Sequence, residues 1–177
     1  MFTDFKRRLR PFNRSSQFYL IPVLRKRRQT AAGNTDERGS RTITRGYKEL
    51  LADASSAIET IPAEEAIKQL HVEDVVFIDV RDLPELERDG KIPGAVHASR
   101  GSLEFYADPE SPVHKEVFAS GKKLILYCAT GMRSALATQR LQEMGLHRVA
   151  QIGGGMKAWK ATNGPVEAAG VLGAADR

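Results

Sequence analysis

The chain has 177 residues, 41% of them hydrophobic, which is enough for one domain with a real core and a tail. Its single cysteine excludes an internal disulfide and the class of small domains that disulfides hold together. The net charge of +5 is unevenly divided, because residues 1–48 hold 13 Lys and Arg against 3 Asp and Glu, whereas the remainder holds 14 against 19. The larger part of the chain is therefore mildly acidic, which argues against a nucleic-acid-binding surface.

Residues 1–43 are rich in Arg, Ser, Thr, Asn and Gly and show no sustained periodicity, so we predict a basic, flexible leader. Its longest apolar run, residues 18–24, contains Pro22 and is followed by four basic residues, unlike a signal peptide or a membrane-spanning helix. We therefore expect a soluble, unexported protein of the cytoplasm. An electrostatic membrane contact and an Arg-rich targeting segment are less favoured interpretations of the leader.

Helical spacing of apolar residues begins at Tyr47 and predicts a helix that continues to Ile58. A second helix is expected from Pro62, because proline suits the first turn of a helix. The acidic Glu64 and Glu65 would then lie in the positive end of that helix.

The rest of the chain alternates strands and helices. Apolar runs predict four buried strands: residues 75–80, 95–98, 123–127 and 148–152. A helix is predicted over residues 134–144, and the glycines at 153–155 precede a last helix. This order indicates an α/β sandwich with a mainly parallel sheet over residues 44–170, followed by a short tail over 171–177.

Cys128 directly follows the third of these strands and precedes the helix that starts at Ser134. Parallel sheets bind ligands at the carboxyl ends of their strands, and the unpaired N–H groups of a helix N-terminus favour an anion. Gly131 lets the short loop bend so that successive N–H groups point inward. We therefore predict that the pKa of Cys128 is lowered and that its thiolate is a nucleophile. The alternative is an inert, buried cysteine before an ordinary turn.

Two further residues of this loop suit an anion site. Arg133 brings a permanent positive charge, which would pair with an incoming oxyanion or fix the loop through backbone carbonyls. Ser134 would cap the helix or hydrogen-bond the loop. The same N–H groups would also hold a second sulfur atom attached to Cys128, as in a persulfide.

Four segments in order resemble the rhodanese-like sulfurtransferases. The loop Cys-Ala-Thr-Gly-Met-Arg-Ser at 128–134 resembles the active-site loop of that family. The other three resembling segments are Asp79-Val80-Arg81 with Glu85, residues 90–97, and residues 153–159. The resemblance runs from about Glu59 to Val166, and residues 1–43 have no counterpart in it.

The resemblance implies a rhodanese-like three-layer sandwich, with a mainly parallel sheet of about five strands flanked by helices. It implies that Cys128 carries sulfur as a persulfide from a small-molecule donor such as thiosulfate to a thiol, cyanide or protein acceptor. Ping-pong kinetics would follow. The substrate-binding residues would be the rest of the loop: Ala129, Thr130, Gly131, Met132, Arg133 and Ser134.

The resemblance also implies supporting residues. Asp79 and Arg81 would brace the loop or each other at a strand end, and we predict an ion pair between Arg81 and Glu85. His97 and Trp159 are interpreted as structural. No cofactor is expected, and no metal, because the remaining histidines lack a cysteine or carboxylate cluster at ligand spacing: His71, His114 and His147.

Other activities stay open as alternatives. Cell-cycle dual-specificity phosphatases and some arsenate reductases share the fold, but those phosphatases place five residues between cysteine and arginine. Here residues 129–132 make only four, and the smaller loop should suit one sulfur atom rather than a tetrahedral phosphate. Some rhodanese-like domains lack the nucleophile and serve as binding or regulatory modules; the presence of Cys128 argues against that role.

Overall fold

The structure is a computed structural model that describes residues 43–169. The predicted leader and tail lie outside the described residues, apart from Ile43. The helices are α1 (Tyr47–Ala57), α2 (Ala63–Ile67), α3 (Leu83–Asp89), α4 (Leu103–Ala107), α5 (Met132–Glu143) and α6 (Gly155–Ala161). The strands are β1 (Glu59–Ile61), β2 (Val75–Asp79), β3 (Val96–His97), β4 (Lys123–Tyr127) and β5 (Val149–Ile152).

The five strands form one sheet in the order β1-β5-β4-β2-β3, and every pairing between them is parallel. The three inner strands carry the apolar runs seen in the sequence, and every residue of β5 is buried. Strands covered on both faces need such continuous apolar runs. The predicted sheet of about five strands is confirmed.

Helices cover both faces of the sheet. On one face, Phe77 of β2 packs edge to face against Trp159 of α6, with ring centroids 5.7 Å apart. Helix α2 contributes Ala63 and Ala66 to the same hydrophobic cluster. On the other face, Leu126 packs against Leu141 of α5. The first helix, α1, lies outside α5, where Ala54 contacts Ala135. Residues 43–169 therefore form the three-layer α/β sandwich that the sequence predicts, with Trp159 in the core as expected.

The predicted elements agree with the structure except for three short ones. Strand β1 has three residues, two of them exposed, which is too short for a periodic pattern. Helix α3 begins with a capping box, a pattern that can be recognised in a sequence. Its residues are Asp82 and Glu85, and the Glu85 carboxylate accepts the Asp82 N–H at 3.1 Å. Helix α4 has five residues and follows a short 3₁₀ turn.

Because the strands are parallel and adjacent, the carboxyl ends of β2, β4 and β5 lie side by side at the same end of the sheet. Three of the four segments that resemble the rhodanese-like family lie directly after those ends. Across residues 43–169, none of the helices has the length and apolar character needed to span a bilayer.

Candidate active site

Cys128 lies immediately after β4, and three residues separate it from α5. The chain turns at Gly131, whose φ of 94° is in the left-handed region that favours glycine. This turn points the Gly131 N–H at the Cys128 sulfur, with an N···Sγ distance of 3.2 Å. The Ser134 hydroxyl lies 3.7 Å from the same sulfur. The first turn of α5 and the loop before it therefore converge on one atom.

Two opposing influences act on the Cys128 thiol. Burial is the largest, and it disfavours the charged thiolate. Hydrogen bonds from the Ser134 N–H, the Ser134 hydroxyl, and the N–H groups of Thr130 and Gly131 favour the thiolate and together outweigh burial. The pKa of Cys128 therefore lies below its ordinary value, as predicted for a thiol at a helix N-terminus.

The Cys128 thiol is buried. The Cys128 side chain is only 1% exposed and packs with the core on the α5 face. Its hydrogen-bond donors nevertheless point at it rather than away from it. The Cys128 thiol is therefore enclosed by the core and faced by the donor groups of its loop.

The start of α6 holds the active-site loop in place. The N–H groups of Met156 and Lys157 donate to the carbonyls of Cys128 and Ala129 at 2.8 and 3.0 Å. Gly155 passes so close that a Cβ there would lie 2.3 Å from the Cys128 carbonyl oxygen and 2.9 Å from the Gly131 nitrogen. Glycine is required at this position because the loop and the helix are in backbone contact.

Arg133 has a different partner from those expected. Its guanidinium makes two parallel hydrogen bonds to the Glu85 carboxylate, both at 2.7 Å, and lies 3.5 Å from Asp82. The hydrogen bond with Glu85 raises the pKa of Arg133 above its ordinary value. The predicted ion pair between Arg81 and Glu85 is wrong, since Glu85 points at α5 instead. The Arg133 charge is compensated by carboxylates rather than directed at backbone carbonyls.

Asp79 and Arg81 hold each other at the end of β2. Arg81 donates to the Asp79 carboxylate at 2.7, 3.0 and 3.1 Å and to the Gly90 carbonyl at 2.7 Å. Both side chains are buried. Burial opposes the Arg81 charge, but hydrogen bonds and attraction from Asp79 outweigh it and raise the pKa of Arg81. His97 contacts the Arg81 carbonyl through Nε2 at 2.8 Å, which fits its structural interpretation.

Comparison with known proteins decides the family. Residues 62–162 match the family described as Rhodanese-like domain.

The chain belongs to the rhodanese-like family.

Three proteins of known sequence or structure are similar to this chain. Thiosulfate sulfurtransferase GlpE of Coxiella burnetii is 34% identical over 107 residues, which cover 59% of this chain and 86% of that protein. A Rhodopseudomonas palustris protein of unknown function, described as a possible tyrosine phosphatase, is 50% identical, with a TM-score of 0.70 over 72% of this chain and 98% of its own. The polysulfide-sulfur transferase homodimer of Wolinella succinogenes is 29% identical, with a TM-score of 0.53 over 68% and 86%. The chain is thus a single-domain rhodanese-like sulfurtransferase, which requires a sulfur donor and a sulfur acceptor.

The rhodanese-like site does not use all the predicted loop residues in the same way. Thr130, Gly131 and Ser134 direct hydrogen-bond donors at the sulfur. The Ala129 carbonyl instead ties the loop to α6. Met132 is 52% exposed and lies at the surface of the site. Of the two arrangements expected for Ser134, the structure has the second, because its hydroxyl donates to the Gly131 carbonyl at 3.1 Å while Gly131 occupies the N-cap.

Two residues at this rhodanese-like site were not singled out from the sequence. Gln151 accepts a hydrogen bond from the Ser134 hydroxyl at 2.8 Å and donates to Thr60 at 3.2 Å. A signal was available for Gln151, since it is the one polar residue in the otherwise apolar strand Val149–Ile152. Thr60 carries no such signal. Among residues 43–169, no group of three or more His, Cys, Asp and Glu is placed to hold a metal ion.

Proposed function

We propose that this chain transfers sulfane sulfur from thiosulfate or a similar donor to a thiophilic acceptor through a persulfide on Cys128. The observation that carries the proposal is the convergence of three main-chain N–H groups and one hydroxyl on the Cys128 sulfur. A low-dielectric site with donors aimed at one atom stabilises negative charge there. The thiolate is thereby available as a nucleophile at neutral pH.

In the first half-reaction, the Cys128 thiolate attacks the outer sulfur of the donor. A new S–S bond forms, the S–S bond of thiosulfate breaks, and its electron pair leaves with sulfite. The enclosure of Cys128 supports this choice of chemistry, because a terminal sulfur atom is small enough to enter the loop. The same donor groups then face the persulfide, whose charge lies on its outer sulfur.

In the second half-reaction, an acceptor thiolate or cyanide attacks the outer sulfur of the persulfide. The S–S bond to Cys128 breaks and its electron pair returns to the cysteine sulfur, which restores the thiolate. The chain has no second cysteine that could resolve the persulfide internally, so the acceptor comes from outside. Cytosolic thiols are suitable acceptors and also keep a lone reactive cysteine reduced, so we propose the cytoplasm as its location.

Phosphatase activity is disfavoured by the Arg133 contacts. A phosphoryl-transfer site must stabilise the negative charge that is spread over three equatorial oxygens of the phosphate. Arg133 is instead held by both oxygens of Glu85. The four-residue spacing between Cys128 and Arg133 also makes a narrow loop. We expect no hydrolysis of p-nitrophenyl phosphate above that of the Cys128→Ser variant.

The persulfide is tested by intact-protein mass spectrometry. The reduced chain is incubated with thiosulfate, desalted and weighed, and we expect a gain of one sulfur atom that is lost again on addition of cyanide. The Cys128→Ser variant should gain nothing. A wild-type chain that stays unmodified with thiosulfate and with polysulfide would reject the catalytic proposal and favour a binding module.

A further inference from the structure

A line of hydrogen-bonding groups runs from the Cys128 sulfur to a cleft beside the loop. The Ser134 hydroxyl lies between the sulfur and the Gln151 amide, at 3.7 and 2.8 Å. The far end of that amide donates to the Thr60 hydroxyl at 3.2 Å. Thr60 and Gln151 both line a cleft of about 330 Å³ between α1 and the loop. The buried thiol is therefore linked to the surface by three polar side chains.

Gln151 is an unusual residue for its position. It lies in β5, between β1 and β4, and is 5% exposed among apolar neighbours. Burying an amide is costly unless its oxygen and its nitrogen both find partners. Its partners here are Ser134, which contacts the reactive sulfur, and Thr60.

The Ser134 hydroxyl has one proton and three acceptors within reach. These are the Gln151 amide oxygen at 2.8 Å, the Gly131 carbonyl at 3.1 Å and the Cys128 sulfur at 3.7 Å. A hydroxyl donates only one hydrogen bond at a time. When the amide oxygen takes that proton, the sulfur loses its side-chain donor and retains only main-chain ones.

A half-turn of the Gln151 amide about its last bond reverses this line without leaving a group unpaired. The amide nitrogen then donates to the Ser134 oxygen, and the Thr60 hydroxyl donates to the amide oxygen. The Ser134 proton is released to the Cys128 sulfur. Hydrogen bonds to a charged acceptor are stronger than those to a neutral one, so a thiolate favours this second arrangement.

We propose that Gln151 is a positioning residue of the sulfur-transfer reaction, whose amide turns over to aim the Ser134 hydroxyl at Cys128 whenever the cysteine sulfur is charged. The proposal rests on the proposed function, since it takes the Cys128 thiolate as the reactive form. No proton is transferred along the line, because Ser134 keeps its proton and only changes its acceptor.

The orientation of the amide should alternate during the reaction. In the persulfide, the charge lies on the outer sulfur and the inner sulfur is neutral. The inner sulfur then competes poorly for the Ser134 proton, which returns to the Gln151 oxygen. When the acceptor removes the outer sulfur, the charge returns to Cys128 and the amide turns again.

The charged groups around the thiol are the same in both arrangements. They are Arg133 on α5, paired with Glu85 on α3, and the mutually paired Asp79 and Arg81 at the end of β2. Lys157 on α6 is exposed to solvent. A change confined to Gln151 therefore leaves these charges in place.

The Gln151→Met variant tests the proposal by the sign of its effect. Methionine has nearly the same shape but cannot donate to Ser134, so the hydroxyl loses the amide hydrogen bond that fixes its orientation and strengthens it as a donor to the sulfur. Alkylation of the only cysteine by iodoacetamide is measured at least one pH unit below the midpoint of the wild-type alkylation profile, where the rate follows the fraction of thiolate. There it should slow by roughly fivefold, because the thiolate loses hydrogen-bond stabilisation. If Gln151 only competed for the Ser134 proton, the same variant would react faster. Faster or unchanged alkylation overturns the proposal.

A double-variant comparison separates positioning from packing. Ser134→Ala should slow alkylation by at least as much, and Gln151→Met should have no additional effect in the Ser134→Ala background. If Gln151→Met slows alkylation equally in that background, Gln151 acts through packing and the proposal fails.

A measurement on the wild-type chain covers the case in which Gln151→Met does not fold. Nuclear Overhauser contacts of the Gln151 side-chain NH₂ should move from the Thr60 methyl to the Ser134 Hβ protons as the thiol is titrated to the thiolate. Contacts that stay at Thr60 throughout the titration overturn the proposal. None of these readouts requires sulfur transfer, so their failure is distinct from a failure to form the persulfide.

Discussion

Arg133 and Glu85 form a two-fold ion pair, in which Nη1 lies 2.7 Å from Oε2 and Nη2 lies 2.7 Å from Oε1. The pair joins the first turn of α5 to the first turn of α3. Glu85 also accepts the Asp82 N–H, so its carboxylate serves both the helix start and the loop. As a consequence, the arginine of the active-site loop brings no uncompensated positive charge to the thiol.

Removing the negative charge of Glu85 should favour the reaction of Cys128 with an anionic donor. In Glu85→Gln, the amide oxygen still accepts the Asp82 N–H, but Arg133 loses its compensating charge. We expect the KM for thiosulfate to fall by about three- to tenfold at low ionic strength, with a smaller change in kcat. Steady-state sulfur transfer at several salt concentrations measures the change.

Two controls show whether charge is the cause. Asp82→Asn, which removes the more distant and more exposed carboxylate, should lower the KM less. Alkylation by neutral iodoacetamide should change less in Glu85→Gln than the reaction with thiosulfate does. An unchanged KM, or equal acceleration with the neutral reagent, would contradict the prediction.

The same ion pair should make stability depend on acid pH. The hydrogen bond from Arg133 is the main cause that lowers the pKa of Glu85 in the folded state. A carboxyl with a depressed pKa stabilises the fold above its unfolded value of 4.5 and loses that contribution as the pH falls through the folded value. Wild type should therefore exceed Glu85→Gln in free energy of unfolding by up to about 1 kcal/mol at pH 7, and the difference should vanish near pH 2. Urea unfolding at both pH values measures it; a constant difference would refute it.

The sequence predicted those features that depend on local pattern. The apolar run before Cys128 and the glycine after it were sufficient to predict a strand, a turn and a helix N-terminus around the thiol. The lowered pKa followed from that placement alone. Apolar runs of four to six residues likewise predicted the inner strands of the sheet.

The pairing of charged side chains could not be predicted from the sequence. Glu85 lies four residues after Arg81 and 48 before Arg133, and the shorter separation suggested the wrong partner. Whether Glu85 faces one arginine or the other depends on how α3 packs beside α5, which is a tertiary property. The Gln151 contact with Thr60 is similar, because it requires β1 and β5 to be neighbours although 91 residues separate the two side chains.

The buried pair Asp79–Arg81 should be among the most sensitive sites in the fold. Arg81→Met leaves the Asp79 carboxylate buried without its guanidinium and the Gly90 carbonyl without its donor. We expect a loss of roughly 3–5 kcal/mol in the free energy of unfolding. The matched control is Arg88→Met, whose pair with Asp89 is exposed and should contribute far less to stability.

Chemical denaturation of both variants tests this ranking. The double variant Asp79→Asn/Arg81→Met should recover part of the loss, because no buried charge then remains uncompensated. Equal stability of the Arg81→Met and Arg88→Met variants would show that the buried pair contributes little.

Gly155 should control the geometry of the active-site loop. In Gly155→Ala, the added Cβ meets the Cys128 carbonyl oxygen and the Gly131 nitrogen, so the loop must shift. We expect sulfur transfer to fall by about tenfold or more, because small displacements of a reacting group are costly. Gly145→Ala is the control, since Gly145 also has a positive φ but has open space around it. If both variants lower the melting temperature and the activity equally, the positive φ alone explains the loss, and the prediction about the contact with the active-site loop is wrong.

The boundary of the catalytic domain can be tested by truncation. Within residues 43–169, Gly131 and Ser134 contact the Cys128 sulfur, and Gln151 contacts Ser134. Removing residues 1–42 should therefore leave kcat/KM for sulfur transfer within about twofold of the full chain, since the contacts that hold the loop are made within residues 43–169. Removing residues 1–58 takes away α1 and uncovers Ala135, so that variant should be clearly less stable. A large loss of activity in the shorter truncation, or none of stability in the longer one, would place the boundary elsewhere.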